Sequence, residues 1–208
     1  MLTDGTRRLR ADAARNSARI ARAAREVFAE TGPDATLDDI ARRADVGIAT
    51  LYRRFPNKEE LLRAALEQGI GEQLSPAIEQ ALSDDDPKRG LVTLMEATLS
   101  MVARERNTFA AAHNSGALTA EVTAPFLDSV TLLTHRGQQA GLIRADLVPD
   151  DIHVIMGMLA SLLACMDSEG DGWRRYVALM LDALSPVGAS PLPAADPMRQ
   201  AHPGSCSY

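Results

Sequence analysis

A nine-residue window carries the groups with which this sequence could do chemistry: Thr50, Tyr52, Arg53, Arg54 and Lys58. They offer a hydroxyl, a phenol, two guanidiniums and an ammonium. None is paired with a base or a metal ligand, so the set suits recognition rather than bond-making. A guanidinium matches the O6 and N7 of guanine in bidentate fashion. A lysine beside a helix N-terminus suits a phosphate. Catalytic signatures are missing: the sequence has no glycine-rich phosphate loop, HExxH, GxSxG or paired-cysteine motif. No catalytic residue, cofactor or metal is therefore expected, and the chain is read as not an enzyme.

These groups need a scaffold, and the surrounding pattern supplies one. Ile20, Ala24, Val27 and Phe28 recur at helical spacing within a stretch, Arg10 to Glu30, free of Gly and Pro. Gly32-Pro33 ends that helix. Thr36 is the expected N-cap of the next, with Asp38 and Asp39 at its positive end. Ile40, Ala41 and Ala44 face inward. Asp45-Val46-Gly47 makes a tight turn into a short helix from Ile48 to Phe55, which Pro56 forbids to continue. Asn57 and Glu60 form a capping-box pattern for a fourth helix carrying Leu61, Leu62, Ala65 and Leu66. Two short helices around a three-residue turn are the helix-turn-helix arrangement, whose second helix enters the major groove of DNA.

Charge is distributed accordingly. The chain of 208 residues carries a net charge of -6. Residues 1–58 hold 12 basic and 8 acidic side chains, while the remainder holds 10 and 20. Phosphate binding is judged on the local balance, so the first quarter of the chain fits DNA and the rest is an acidic, solvated surface.

The run from Leu37 through Leu62 resembles the signature of the tetracycline-repressor (TetR) family. Ile40-Ala41, Thr50-Leu51-Tyr52, Phe55 and Lys58-Glu59 stand at the family spacing, and Phe28-Ala29 stands upstream. The resemblance covers about residues 14–66. Beyond it, Gly141-Leu142-Ile143-Arg144-Ala145-Asp146-Leu147 looks like the family's C-terminal domains. The resemblance implies roles. Thr50 and Tyr52 would touch phosphates or base edges, Arg53 and Arg54 would face the groove and its backbone, and Lys58 would hold a phosphate. Thr36 joins this candidate DNA-binding set. Arg42, Arg43 and the arm residues Arg7, Arg8 and Arg10 stand equally well as DNA contacts or as solvated charge. Asp45 replaces the family's usual turn Gly, and Gly47 its Ser or Thr; both substitutes are tolerated there.

The fold expected is all-α. Residues 1–58 would form a three-helix DNA-binding domain with an N-terminal arm over Met1–Leu9, residues 59–184 a helical ligand-binding and dimerisation domain, and residues 185–208 a disordered tail rich in Pro, Gly, Ala and Ser. Within the second domain, helices are expected after Asp86-Pro87, around Phe109 to His113, from Thr123 to Ala140, from Pro149, and along Trp173, Val177, Met180, Leu181 and Leu184. Ile152 to Met166 has no charged residue. At 15 residues it is shorter than the roughly 20 a membrane span needs, so it is expected to be buried on several sides, in part against a second copy. Met95, Phe109, His113, Phe126, Met158 and Trp173 are the candidate lining of an effector pocket, with Met101 beside them. His113, His135 and His153 lack metal-ligand spacing, and Cys165 and Cys206 form no CxxC pair or disulfide framework.

The expected partners are thus operator DNA, a small lipophilic effector and a second copy of the chain, in the cytoplasm and without a membrane. The alternative is a DNA-binding protein with no sensor. It leaves about 120 residues after the fourth helix with little to do.

Overall fold

The structure is a computed structural model. It describes residues 4–163, 166 and 170–195, with side chains from residue 11 onward. Among these residues there are ten α-helices, one 3₁₀ turn and no strand. The order is α1 (Asp4–Thr31), the 3₁₀ turn (Gly32–Asp34), α2 (Leu37–Arg43), α3 (Ile48–Arg54), α4 (Lys58–Gln73), α5 (Ser75–Ser83), α6 (Pro87–Arg104), α7 (Arg106–Ser115), α8 (Ala120–Gln139), α9 (Pro149–Leu163) and α10 (Arg174–Ala183). The all-helical expectation holds. No helix among the described residues is long and apolar enough to cross a membrane.

Helix α1 begins at Asp4, so the segment expected as an arm is helical in its backbone from that residue. Arg7, Arg8, Leu9 and Arg10 are mostly good helix formers, and Gly5 stands in the first turn, where it costs least. The arm's first three residues, the cysteines at 165 and 206, and residues 196–208 of the expected tail lie outside the described residues. Residues 185–195 have no regular structure, yet they are tied down. The Leu192 amide donates to Asp146 Oδ2 at 2.9 Å, and Arg144 donates to the Ser190 carbonyl.

The chain gathers into two units. Unit 1 joins Met1–Glu72 to Glu105–Val122; unit 2 joins Gln73–Arg104 to Thr123–Tyr208. The core of unit 1 is built from the stripe of α1 (Ile20, Ala24, Val27, Phe28), from Ile40, Ala41 and Leu51 of α2 and α3, and from Leu61, Leu62, Ala65 and Leu66 of α4. Helix α7 belongs to it as well. Ala111 and Ala112 are small enough for α7 to lie against α1 and the 3₁₀ turn, and Asn107 Nδ2 donates to the Ala29 carbonyl at 2.7 Å, satisfying a C-terminal group of α1. Gly116, at φ +76°, closes α7.

In unit 2, α5 pairs with α6, and α6 packs on α9 and α10. Leu91, Leu94, Met95 and Leu99 of α6 are buried, with Val130 and Leu133 of α8, Ile152 and Met156 of α9, and Val177 and Leu181 of α10. Arg136 of α8 donates to the Leu82 and Asp84 carbonyls at 2.8 and 3.0 Å, closing the end of α5. Arg174 pairs with Glu96 at 2.7 Å and lies over the Trp173 ring.

Candidate nucleic-acid interface

Local chemistry fixes the two short helices of unit 1. Thr36 is extended and caps α2: its Oγ1 accepts the Asp39 N–H at 3.1 Å and donates to Asp39 Oδ2 at 2.5 Å. The Asp39 carboxyl is held below the usual aspartate value, first by that Thr36 hydroxyl and then by the Arg42 guanidinium. The turn follows the sequence's demands. Asp45 has φ +50°, the single non-glycine residue with positive φ among those described, and aspartate tolerates that left-handed region better than most residues. Gly47 caps α3 in extended conformation, without a side chain to contribute. The Phe55 amide bonds back to Leu51, and Pro56 stops the helix.

Leu51 is fully buried and Ile48 packs against the same core. That anchoring turns the opposite side of α3 outward. Tyr52 is 51% exposed, and Arg53 and Arg54 are exposed beside it. Thr50 is half-buried near the N-cap. Arg54 donates through Nε to Ser17 Oγ of α1, which steadies the end of α3.

At the start of α4, the Glu60 amide donates to Asn57 Oδ1 at 2.8 Å, the N-cap half of the expected capping box. Lys58 Nζ donates to the Pro33 carbonyl at 2.6 Å and stands 5.5 Å from the centre of the Phe28 ring. An ammonium has three donors, so this anchoring aims Lys58 without exhausting it.

Arg43 has a different task. It bonds Glu30 at 2.7 Å and Glu26 at 3.1 Å, joining α2 to α1, and these carboxylates raise its pKa. Arg42 pairs with Asp39 one turn back on its own helix. Thr36, Thr50, Tyr52, Arg53, Arg54 and Lys58 thus all fall in unit 1, around α2, α3 and the start of α4. Sequence reading missed one supporting group, Ser17, which takes the Arg54 hydrogen bond.

The pattern of residues 20–65 matches the model for bacterial regulatory proteins of the tetR family. The HTH-type transcriptional regulator TtgW of Pseudomonas putida, itself uncharacterised, is 48% identical over 61 residues, which is 29% of this chain and 46% of that one. The chain thus spans about half the length of this curated relative. Among solved structures, the TetR regulator SCO0520 of Streptomyces coelicolor is 27% identical, with a TM-score of 0.61 over 82% of this chain and 99% of that one. Over residues 20–65 the chain therefore carries the tetR-family DNA-binding pattern, and the wider chain is similar in fold to a TetR regulator. The transcriptional regulator FadR of Bacillus subtilis, solved in complex with stearoyl-CoA, shares the fold at 21% identity, with a TM-score of 0.67 over 81% of this chain and 98% of its own.

The six candidate effector residues do not gather in one unit. Met95, Phe126, Met158 and Trp173 fall in unit 2, while Phe109 and His113, on α7, fall in unit 1. Met95 and Trp173 are buried, Phe109 and Phe126 half-buried, and His113 exposed. Met158 is 57% exposed. The clefts described on unit 1 are lined by none of the six; the largest, about 790 Å³, runs between α1 and α4 beside Arg54 and Arg63. No group of three or more metal-ligating side chains occurs among the described residues.

Proposed function

We propose that the protein is a homodimeric transcriptional repressor that leaves its operator when a small lipophilic effector binds. The observation that carries the DNA-binding part is the outward face of α3. Tyr52 and Arg53 stand exposed on a helix whose other side is locked by Leu51, which is the presentation that major-groove reading requires. Arg53 reads a base; Arg54, Lys58, Thr36 and Thr50 hold the backbone. Division of labour follows from chemistry: phosphate contacts position, and base contacts specify. The functional division is the one read from sequence, a DNA-binding head over 1–58 and an effector and dimerisation region over 59–184.

Dimerisation is supported by the exposed apolar side chains of α9 and α10. Val154, Met158 and Leu179 are 44, 57 and 54% exposed, with Tyr176 at 40%. We assign Met158 to this face rather than to the effector pocket. Two heads are needed because half-sites lie about 34 Å apart, one turn of DNA.

The test is selection of bound duplexes from a random-sequence pool, followed by titration at several salt concentrations. A palindromic site and a linear fall of log affinity with log salt are expected; indifference to sequence would leave a general DNA binder. Light scattering should give twice 22.3 kDa, and Leu179→Asp should give the monomer. For the effector, stearoyl-CoA is a reasonable first probe because a protein of the same fold binds it, an analogy of fold alone. Effector and operator must oppose each other reciprocally, so any compound that raises the melting temperature should also release the selected duplex. One that stabilises the protein and leaves the complex intact argues against induction.

A further inference from the structure

Unit 1 leaves its first segment at Glu72 and resumes at Glu105. One side chain holds both residues. Arg25, in the second half of α1, donates from Nη1 to Glu72 Oε2 and from Nη2 to Glu105 Oε1, each at 2.7 Å. The Arg25 side chain is 17% exposed and that of Glu105 9%. Charges so far from water are screened weakly, and each is tolerated because the other is there.

Two further features show that the space is shaped for this group. Gly69, one turn before Glu72 and buried, lies against the guanidinium; a β-carbon there would stand 3.3 Å from Arg25 Nε and 3.4 Å from Cζ. The guanidinium therefore rests on bare α4 backbone. Glu105 stands at the N-cap of α7, yet its side chain makes no cap bond. It is the single residue between α6 and α7, and its carboxylate turns to α1 instead.

We propose that Arg25 is a positioning residue for operator recognition: it clasps the end of α4 and the start of α7 to α1, fixing how the head bearing α3 is held on two of the chain segments that leave it. This rests on the reading of the protein as a dimeric operator-binding regulator. In such a dimer the separation of the two α3 helices depends on how firmly each head is anchored. A loosened clasp lets the head accept more than one separation.

The experiment uses the full chain. Arg25→Met/Glu105→Gln removes both buried charges together, so that neither is stranded. Gly69→Ala leaves every charge in place and presses the guanidinium back by a few tenths of an ångström, and Arg25→Lys keeps the charge with fewer donors. Hydrogen exchange of the free protein is expected to speed up at least tenfold over residues 68–73 and 106–110 in the double variant, with 37–55 unchanged. Gly69→Ala and Arg25→Lys should fall between. On the duplex selected by the wild type, inserting one base pair between half-sites should weaken the wild type at least tenfold and the double variant less than threefold. A merely structural ion pair would lower the melting temperature without changing that ratio. Unchanged exchange overturns the clasp. Faster exchange with wild-type discrimination between spacings overturns its role in positioning, as does a wild type indifferent to spacing. A wild type that selects no duplex overturns the regulator reading, while the exchange result still decides the clasp.

Discussion

The reading head and the helices expected to hold the effector differ in how their parts are assembled. Thr36 to Lys58 is one short run, and its turn, caps and core positions follow one another at fixed spacing. Knowing Thr36, Asp45, Gly47, Leu51, Pro56 and Asn57 therefore places Tyr52 and Arg53. The candidate effector residues come from α6, α7, α8, α9 and the approach to α10, and no spacing rule relates them. Where local chemistry dictates the backbone, sequence carries geometry; where a site is assembled from distant helices, type alone selects residues that end up exposed, as His113 and Met158 do.

The sharpest way to break this comparison is to remove the residue on which the head's geometry turns. Leu51 is fully buried, and Leu51→Ala should cost about 2–5 kcal/mol through lost burial and the cavity left behind. Urea denaturation reads the loss, and operator binding should disappear with it. If binding survives at full strength, α3 does not depend on Leu51 for its orientation.

Next in size is a change that spares the fold. Arg53→Ala should leave the melting temperature within the small range of surface substitutions, yet weaken operator binding by about 1–3 kcal/mol and relax preference at one position in each half-site. Lys58→Ala should weaken all sequences alike and flatten the salt dependence. Anisotropy titrations against the selected duplex and its single-base variants separate the two. Equal loss of specificity from both would dissolve the division between reading and holding.

A smaller effect tests the part Thr36 plays in the fold itself. Loss of its cap in Thr36→Ala should cost about 1 kcal/mol of stability without any DNA present. It should also change the acid limb. The Thr36 hydroxyl is the foremost cause of the lowered Asp39 pKa, ahead of Arg42. A carboxyl lowered in the folded state contributes stability above its unfolded value of about 3.9, and that contribution is lost as pH falls through the lower folded value. Melting temperatures of the wild type should therefore drop more steeply below about pH 4 than those of Thr36→Ala. Parallel acid limbs would mean that the hydroxyl is not what holds Asp39.

How far the sequence could be read follows the same division. The all-α class, the turn at Asp45, the caps at Thr36 and Asn57, and the stop at Pro56 are all local, and all were legible. Three features were not. Helix α1 runs back to Asp4 because nothing in its first turns breaks it, where an arm over Met1–Leu9 was expected. Helix α7 sits on the head's core because Ala111 and Ala112 are small, a fit that sequence cannot show. The partners of Arg25 are the third, because only the fold brings Glu72 and Glu105 to it across 47 and 80 residues.

The smallest expected effect probes the turn itself. Asp45 is held at φ +50°, where an L residue with a β-carbon is strained and glycine is not. Asp45→Gly relieves that strain in the folded state. It also gives the unfolded chain more freedom to lose, which works in the opposite direction. The first term should exceed the second, because aspartate's tolerance of this region reduces the strain without removing it, and the net gain should be up to about 1 kcal/mol. Asp45 is exposed, and its backbone N–H bonds to Arg42 through an atom that glycine also has, so no side-chain packing is lost in the exchange. Operator affinity should not change, since Leu51 still sets the face of α3. Thermal melts of the two proteins in one buffer decide the matter. A lower melting temperature for Asp45→Gly would show that the carboxylate contributes more to the turn than its backbone strain costs.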